Sequence, residues 1–139
     1  GWRPSTSVAL ADFGNPLTST SYSLCLYDHS AGQETVALAS EIPAGGTCKN
    51  RPCWQATSDG FKYHRTYPNQ IQLKLKAGDK SHGKIRFKVR KGFVRIAGPP
   101  YAADPNVLVQ LRTSDGACWQ ATYSQNHRND GASFRANSD

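Results

Sequence analysis

Ile71-Gln-Leu-Lys-Leu-Lys76 and Lys84-Ile-Arg-Phe-Lys-Val-Arg90, separated by a turn that begins at Ala77-Gly78-Asp79, decide the fold class. In both, apolar side chains alternate with charged or amide ones. A strand sends successive side chains to opposite faces, so this period of two describes strands with one buried and one wetted face. The two segments are expected to pair as an antiparallel hairpin. Ile71, Leu73, Leu75, Ile85, Phe87 and Val89 then point inward, and Lys74, Lys76, Lys84, Arg86, Lys88 and Arg90 share the outer face.

The same pattern continues in both directions, with helical periodicity nearly absent. Tyr22-Ser-Leu-Cys-Leu-Tyr27 is a β-rich run that ends at the turn formers Asp28, Ser30 and Gly32. Thr35-Val-Ala-Leu-Ala39 follows, and a Pro43-Ala-Gly-Gly46 break interrupts it. Further on, Val107, Val109 and Leu111 repeat the pattern against Gln110 and Arg112. Asp115-Gly116 then reads as a two-residue hairpin turn into Cys118-Trp-Gln-Ala-Thr122. Roughly seven to nine short strands at this spacing predict an all-β fold, an antiparallel β-sandwich or jelly roll, over residues 21–139. Residues 1–20 differ. They are Ser/Thr-rich, contain Pro4 and Pro16, and are weakly apolar at Val8, Leu10 and Phe13. They read as an N-terminal arm, or as a strand donated to this chain's sheet or a neighbouring copy's.

At 139 residues the chain is long enough for one domain with a real core. Methionine is absent, so Gly1 is expected to be a processed start, and no run is apolar and long enough for a membrane span. The four cysteines include no C-x-x-C pair, which predicts two disulfides and a secreted, extracellular location. Cys48 and Cys53 flank a short Lys-Asn-Arg-Pro loop that is readily closed. Cys25 and Cys118 then remain to clip the first core strand to the last. This is one of three possible connectivities.

Leu24-Cys-Leu-Tyr-Asp28, Ile42-Pro-Ala-Gly-Gly46, Cys48, Pro52-Cys-Trp54, Gly60-Phe-Lys-Tyr63, Leu73-Lys-Leu-Lys-Ala-Gly78, Val109-Gln-Leu111 and Cys118-Trp119 together carry a resemblance. From Leu24 to Tyr123 the chain resembles an uncharacterised disulfide-containing β-domain of secreted proteins of proteobacteria, including myxobacteria. The resemblance implies a bacterial exported protein with a β fold. It implies no activity, because that family has none established.

Cys-Trp-Gln-Ala-Thr occurs twice, at Cys53–Thr57 and Cys118–Thr122. In a strand each copy puts a sulfur on one face and an indole on the other, which suits a stapled framework whose tryptophans pack in the core. The competing reading is an aromatic platform for sugar rings. With the tryptophans inside, the exposed aromatic candidates are Tyr63, Tyr67 and Tyr101.

Net charge is +7, and Lys74, Lys76, Lys80, Lys84, Arg86, Lys88, Arg90, Lys91 and Arg95 face only Asp79 within their stretch. Like charges on neighbouring strands repel, so this face calls for counter-ions or an anionic partner such as acidic polysaccharide. The bland alternative is a solvated face whose lysines keep an edge from mispairing. Specific nucleic-acid readout is not expected, because few aromatics interleave with the cations. The four histidines show no metal-ligand spacing with the cysteines, and no catalytic or cofactor motif occurs. The chain is therefore expected to be a non-catalytic, secreted structural or adhesive domain that polymerises with copies of itself through its arm. The alternative is a carbohydrate-binding module for anionic glycans.

Overall fold

Ile71, Leu73 and Leu75 face Val89, Phe87 and Ile85 in antiparallel register, so the alternating stripe of one strand continues on the next. The computed structural model describes residues 1, 3–30, 33–67, 70–80, 82–90, 106–130 and 133–137. Among these, one short 3-10 helix spans Leu10–Phe13, and every other element is a strand. In order these are β1 (Tyr22–Ser30), β2 (Gln33–Ile42), β3 (Thr47–Cys48), β4 (Arg51–Pro52), β5 (Trp54–Thr57) and β6 (Gly60–Arg65), then β7 (Gln70–Lys76), β8 (Lys84–Arg90), β9 (Val107–Thr113), β10 (Cys118–Tyr123), β11 (Gln125–Asp130) and β12 (Ser133–Asn137). The strands exceed the expected number. Two-residue β3 and β4 and the terminal β11–β12 hairpin have too little alternation to be seen in sequence. Among the described residues, no helix is long and apolar enough to cross a membrane.

The chain divides into two compact units. The first comprises Gly1–Tyr22, Ile42–Phe93 and Thr113–Ala117; the second comprises Ser23–Glu41, Val94–Arg112 and Cys118–Asp139.

In the first unit, β5-β6-β7-β8 form a four-stranded antiparallel sheet. One face is apolar, and Trp54, Phe61, Tyr63, Ile71, Leu73, Leu75 and Ile85 on it are all buried. Such a face must be covered, and the N-terminal segment belongs to its covering. Phe13 is fully buried and Val8 nearly so. Tyr22 stacks against Trp54 with ring centroids 5.3 Å apart. The phenol of Tyr22 donates to the Phe13 carbonyl, and the Trp54 indole N–H donates to the Pro43 carbonyl at 2.9 Å. Burying a side chain the size of Phe13 stabilises by about 2 kcal/mol.

The arm is not a strand. Among the described residues its one ladder contact is a bridge between Val8 and Gly78 of the same chain. Asn15 then curls the backbone, its carbonyl accepting from Ser19 and Thr20 and its side chain from the Leu17 amide.

In the second unit the sheet order is β10-β9-β1-β2, and Ala37, Val107 and Tyr123 form a core with Leu26, Val109 and Ala121 packed on it. This order corrects the expected pairing of Cys25 with Cys118. β9 lies between their strands, so β1 and β10 stand roughly 9.5 Å apart. A disulfide requires Cα atoms within about 7 Å. Both cysteines are free thiols, Cys25 half-buried and Cys118 exposed, and Cys48–Cys53 is the disulfide found. The Asp115-Gly116 turn is also longer than expected. Thr113 and Ala117 hydrogen-bond across it, leaving a three-residue loop whose last member, Gly116, has φ 97°. Only glycine takes that conformation without cost. Asp115 is thereby freed to accept from the Thr20 hydroxyl, which ties the loop to the arm.

Candidate cationic groove

Because the inner faces of β5–β8 are committed to the core, every intervening residue is turned outward. The register then assembles two rows across the sheet. Gln55, Lys62, Lys74 and Arg86 face one another in sequence on β5, β6, β7 and β8. One step along, His64, Gln72 and Lys88 do the same on β6, β7 and β8. The His64 amide donates to the Cys53 carbonyl, which extends this second row toward β5.

A wall rises at the β5 side. The chain enters β5 from the β3–β4 ladder, which turns through Lys49 and Asn50, both in the left-handed region at φ 51° and 62°. The Cys48–Cys53 disulfide closes this turn, with Cα atoms 4.9 Å apart. Constraining so short a loop stabilises by about 2 kcal/mol in the chain-entropy account. The stapled turn brings the disulfide, Arg51 and Pro52 over the two rows, and together they enclose a groove of about 330 Å³.

Five cations (Arg51, Lys62, Lys74, Arg86 and Lys88) and His64 line it, with Gln55 and Gln72 between them. No carboxylate is among the described lining residues. The nearest neutralised cation lies one step further along the strands. There Lys76 pairs with Asp59 at 3.4 Å, while Lys84 is its neighbour across the ladder. Burial alone would raise the Asp59 carboxyl, but hydrogen bonds from Thr57 and Lys76, and the Lys76 charge, hold it below its ordinary value. The acid on this side of the sheet is thus spent on Lys76, and the groove keeps its positive charge.

Of the six cations expected on the hairpin face, Lys74, Arg86 and Lys88 line the groove and Lys76 and Lys84 lie beside it; Arg90 pairs with Gln70 across the ladder, and its side chain lies outside what is described. Lys62, Arg51, His64, Gln55 and Gln72 were missing from that expectation. Lys62 is turned out because Phe61 and Tyr63 on either side of it are both buried, and the burial of Tyr63 was not read from sequence. Arg51 was not readable either, since only the stapled turn carries it over the sheet.

The aromatic candidates fare differently. Tyr63 is 2% exposed and packs its ring 5.1 Å from Trp54, which corrects its expected exposure. Its place on the apolar face, opposite Leu73, is the reason. Tyr67 is 81% exposed, outside the groove lining. Tyr101 lies outside the described residues. Trp54 is a core residue and Trp119 half-buried, so the two Cys-Trp copies occupy unlike settings. Of the arm residues, Val8 and Phe13 are internal and Leu10 is exposed. Among the described residues, no group of three His, Cys, Asp or Glu side chains is placed to hold a metal. No family model, no curated protein and no solved structure matches this chain.

Proposed function

We propose that this chain is an extracellular, non-catalytic binding module for acidic polysaccharide. The observation that carries the reading is the groove in which Arg51, Lys62, Lys74, Arg86 and Lys88 converge with no carboxylate among the described lining residues. Holding like charges on adjacent strands is unfavourable, and an anionic ligand relieves that repulsion. Arg51 and Arg86 add planar forks suited to carboxylate or sulfate. The extracellular location rests on the Cys48–Cys53 disulfide and on the resemblance to domains of exported proteins. Polymerisation through a donated arm has less support, because Val8 and Phe13 are already engaged within their own chain.

The test is binding to immobilised heparin, with uncharged dextran as control. Binding is expected to weaken steeply with salt, and dextran to retain nothing. Reversing Lys74 and Arg86 together to Glu is expected to weaken binding by about tenfold or more, equivalent to about 1.4 kcal/mol. Retention on dextran, or unchanged binding by a folded double variant, defeats the reading.

A further inference from the structure

The groove has an order beyond its charge. Two amides are set among the cations: Gln55 ends one row beside Lys62, and Gln72 stands between His64 and Lys88 in the other. A glutamine amide offers a carbonyl acceptor as well as donors, and on a ligand the groups complementary to that acceptor are hydroxyls or N–H groups. A pure polyanion such as polyphosphate lacks these in its repeat. Single-stranded nucleic acid has them but binds through stacking on exposed rings. Among the described lining residues the one aromatic, Tyr63, is buried against Trp54. Anions and hydroxyls together, without rings to stack, describe an acidic sugar.

The geometry also bounds the ligand. The row Gln55–Lys62–Lys74–Arg86 crosses four strands, about 14 Å at the usual strand spacing. The pyranose repeat of an extended polysaccharide is close to one strand spacing, so the row matches roughly three to four sugar units. At the β5 end the disulfide and Pro52 form the wall, and Arg51 overhangs. Resting on the polysaccharide-binding reading above, we infer that the groove is a bounded subsite for three to four consecutive acidic sugars laid across the strands. In it, Lys62, Lys74 and Arg86 take the acidic groups, and Gln55 and Gln72 take ring hydroxyls. This differs from a diffuse basic surface, whose affinity grows with the number of charges offered to it.

Oligogalacturonides of one to eight units, a size series of sulfated dextran oligomers and inorganic polyphosphate, each titrated calorimetrically, separate the possibilities. The oligosaccharide affinity is expected to climb to about four units and then level off. The Gln55→Leu/Gln72→Leu double variant is expected to bind the tetramer about tenfold more weakly while its polyphosphate binding stays unchanged. Whichever oligosaccharide series binds more tightly shows whether carboxylate or sulfate is the acidic group read. Affinity that keeps rising to eight units, polyphosphate binding as tightly as the oligosaccharides, or a folded Gln variant with unaltered tetramer binding would each overturn the subsite while leaving polysaccharide binding standing. Failure of heparin and of every acidic oligomer to bind removes both.

Discussion

At Gly60 the strands β6 and β7 approach so closely that an added methyl would collide with the Leu75 carbonyl oxygen. Gly60 faces Lys76 across the ladder, where the Asp59 pair anchors the far end of the basic face. Gly60→Ala is therefore expected to spread the ladder and lose about 1–3 kcal/mol, read as a lower midpoint in urea. An unchanged midpoint would show that the approach is not as close as described. The cysteines give a second measurement at this scale. Thiol counting without reductant should find two free thiols, and native alkylation should label exposed Cys118 before half-buried Cys25. A count of zero would reinstate a second bridge. Neither outcome was legible in the sequence. The even number of cysteines suggests complete pairing, and only the strand order reveals that β9 separates the two.

Among the elements, the hairpin of β7 and β8 was legible nearly in full, because alternation states both the strand and the face. The arm was not. Its apolar residues are too sparse and irregular to report a period, and its shape comes from Asn15 and the Val8–Gly78 bridge. Its place in the core makes a prediction distinct from that of a donated strand. Removing residues 1–20 takes away Val8 and Phe13 and opens the apolar face of β5–β8. The truncated chain is expected to lose cooperative unfolding and to bind hydrophobic dye, and Phe13→Ala alone should cost about 3–5 kcal/mol. A truncated chain that unfolds with the same midpoint and cooperativity as the full chain would contradict this packing. The β3–β4 turn belongs to the same scale. It has no strand signature of its own, yet it supplies the wall of the groove.

For the molecule as a whole, Tyr22 and Tyr123 make stability depend on alkaline pH. Burial raises Tyr22 well above the ordinary phenol value, helped by the Asp115 charge, and burial raises Tyr123 as well. The folded state thus holds these protons more tightly than the unfolded one. Their contribution is complete below the ordinary phenol value of about 10 and is lost as pH rises beyond it, by up to about 1.4 kcal/mol per pH unit for each. Urea midpoints are expected to fall between pH 9 and pH 11, and Tyr22→Phe should flatten that fall. If the variant falls as steeply as the parent, Tyr22 is not a source of the dependence. The sign follows from burial disfavouring the phenolate, a tertiary property that no reading of Tyr22 in sequence supplies.

The sequence alone determined the antiparallel β class, the inward and outward faces of β7 and β8 and the basic excess, and it offered the local closure of Cys48 with Cys53 as one of three connectivities. These are readable because side-chain period, turn chemistry and short loop closure act between near neighbours in the chain. Only the tertiary structure decided that Cys25 and Cys118 stay apart, that Tyr63 is buried and that the arm is part of the core. It also decided that Arg51, Lys62 and Gln55 join Lys74 and Arg86 in one groove. Register and strand order set those outcomes. They are settled by which faces must be buried together, between residues the chain keeps far apart.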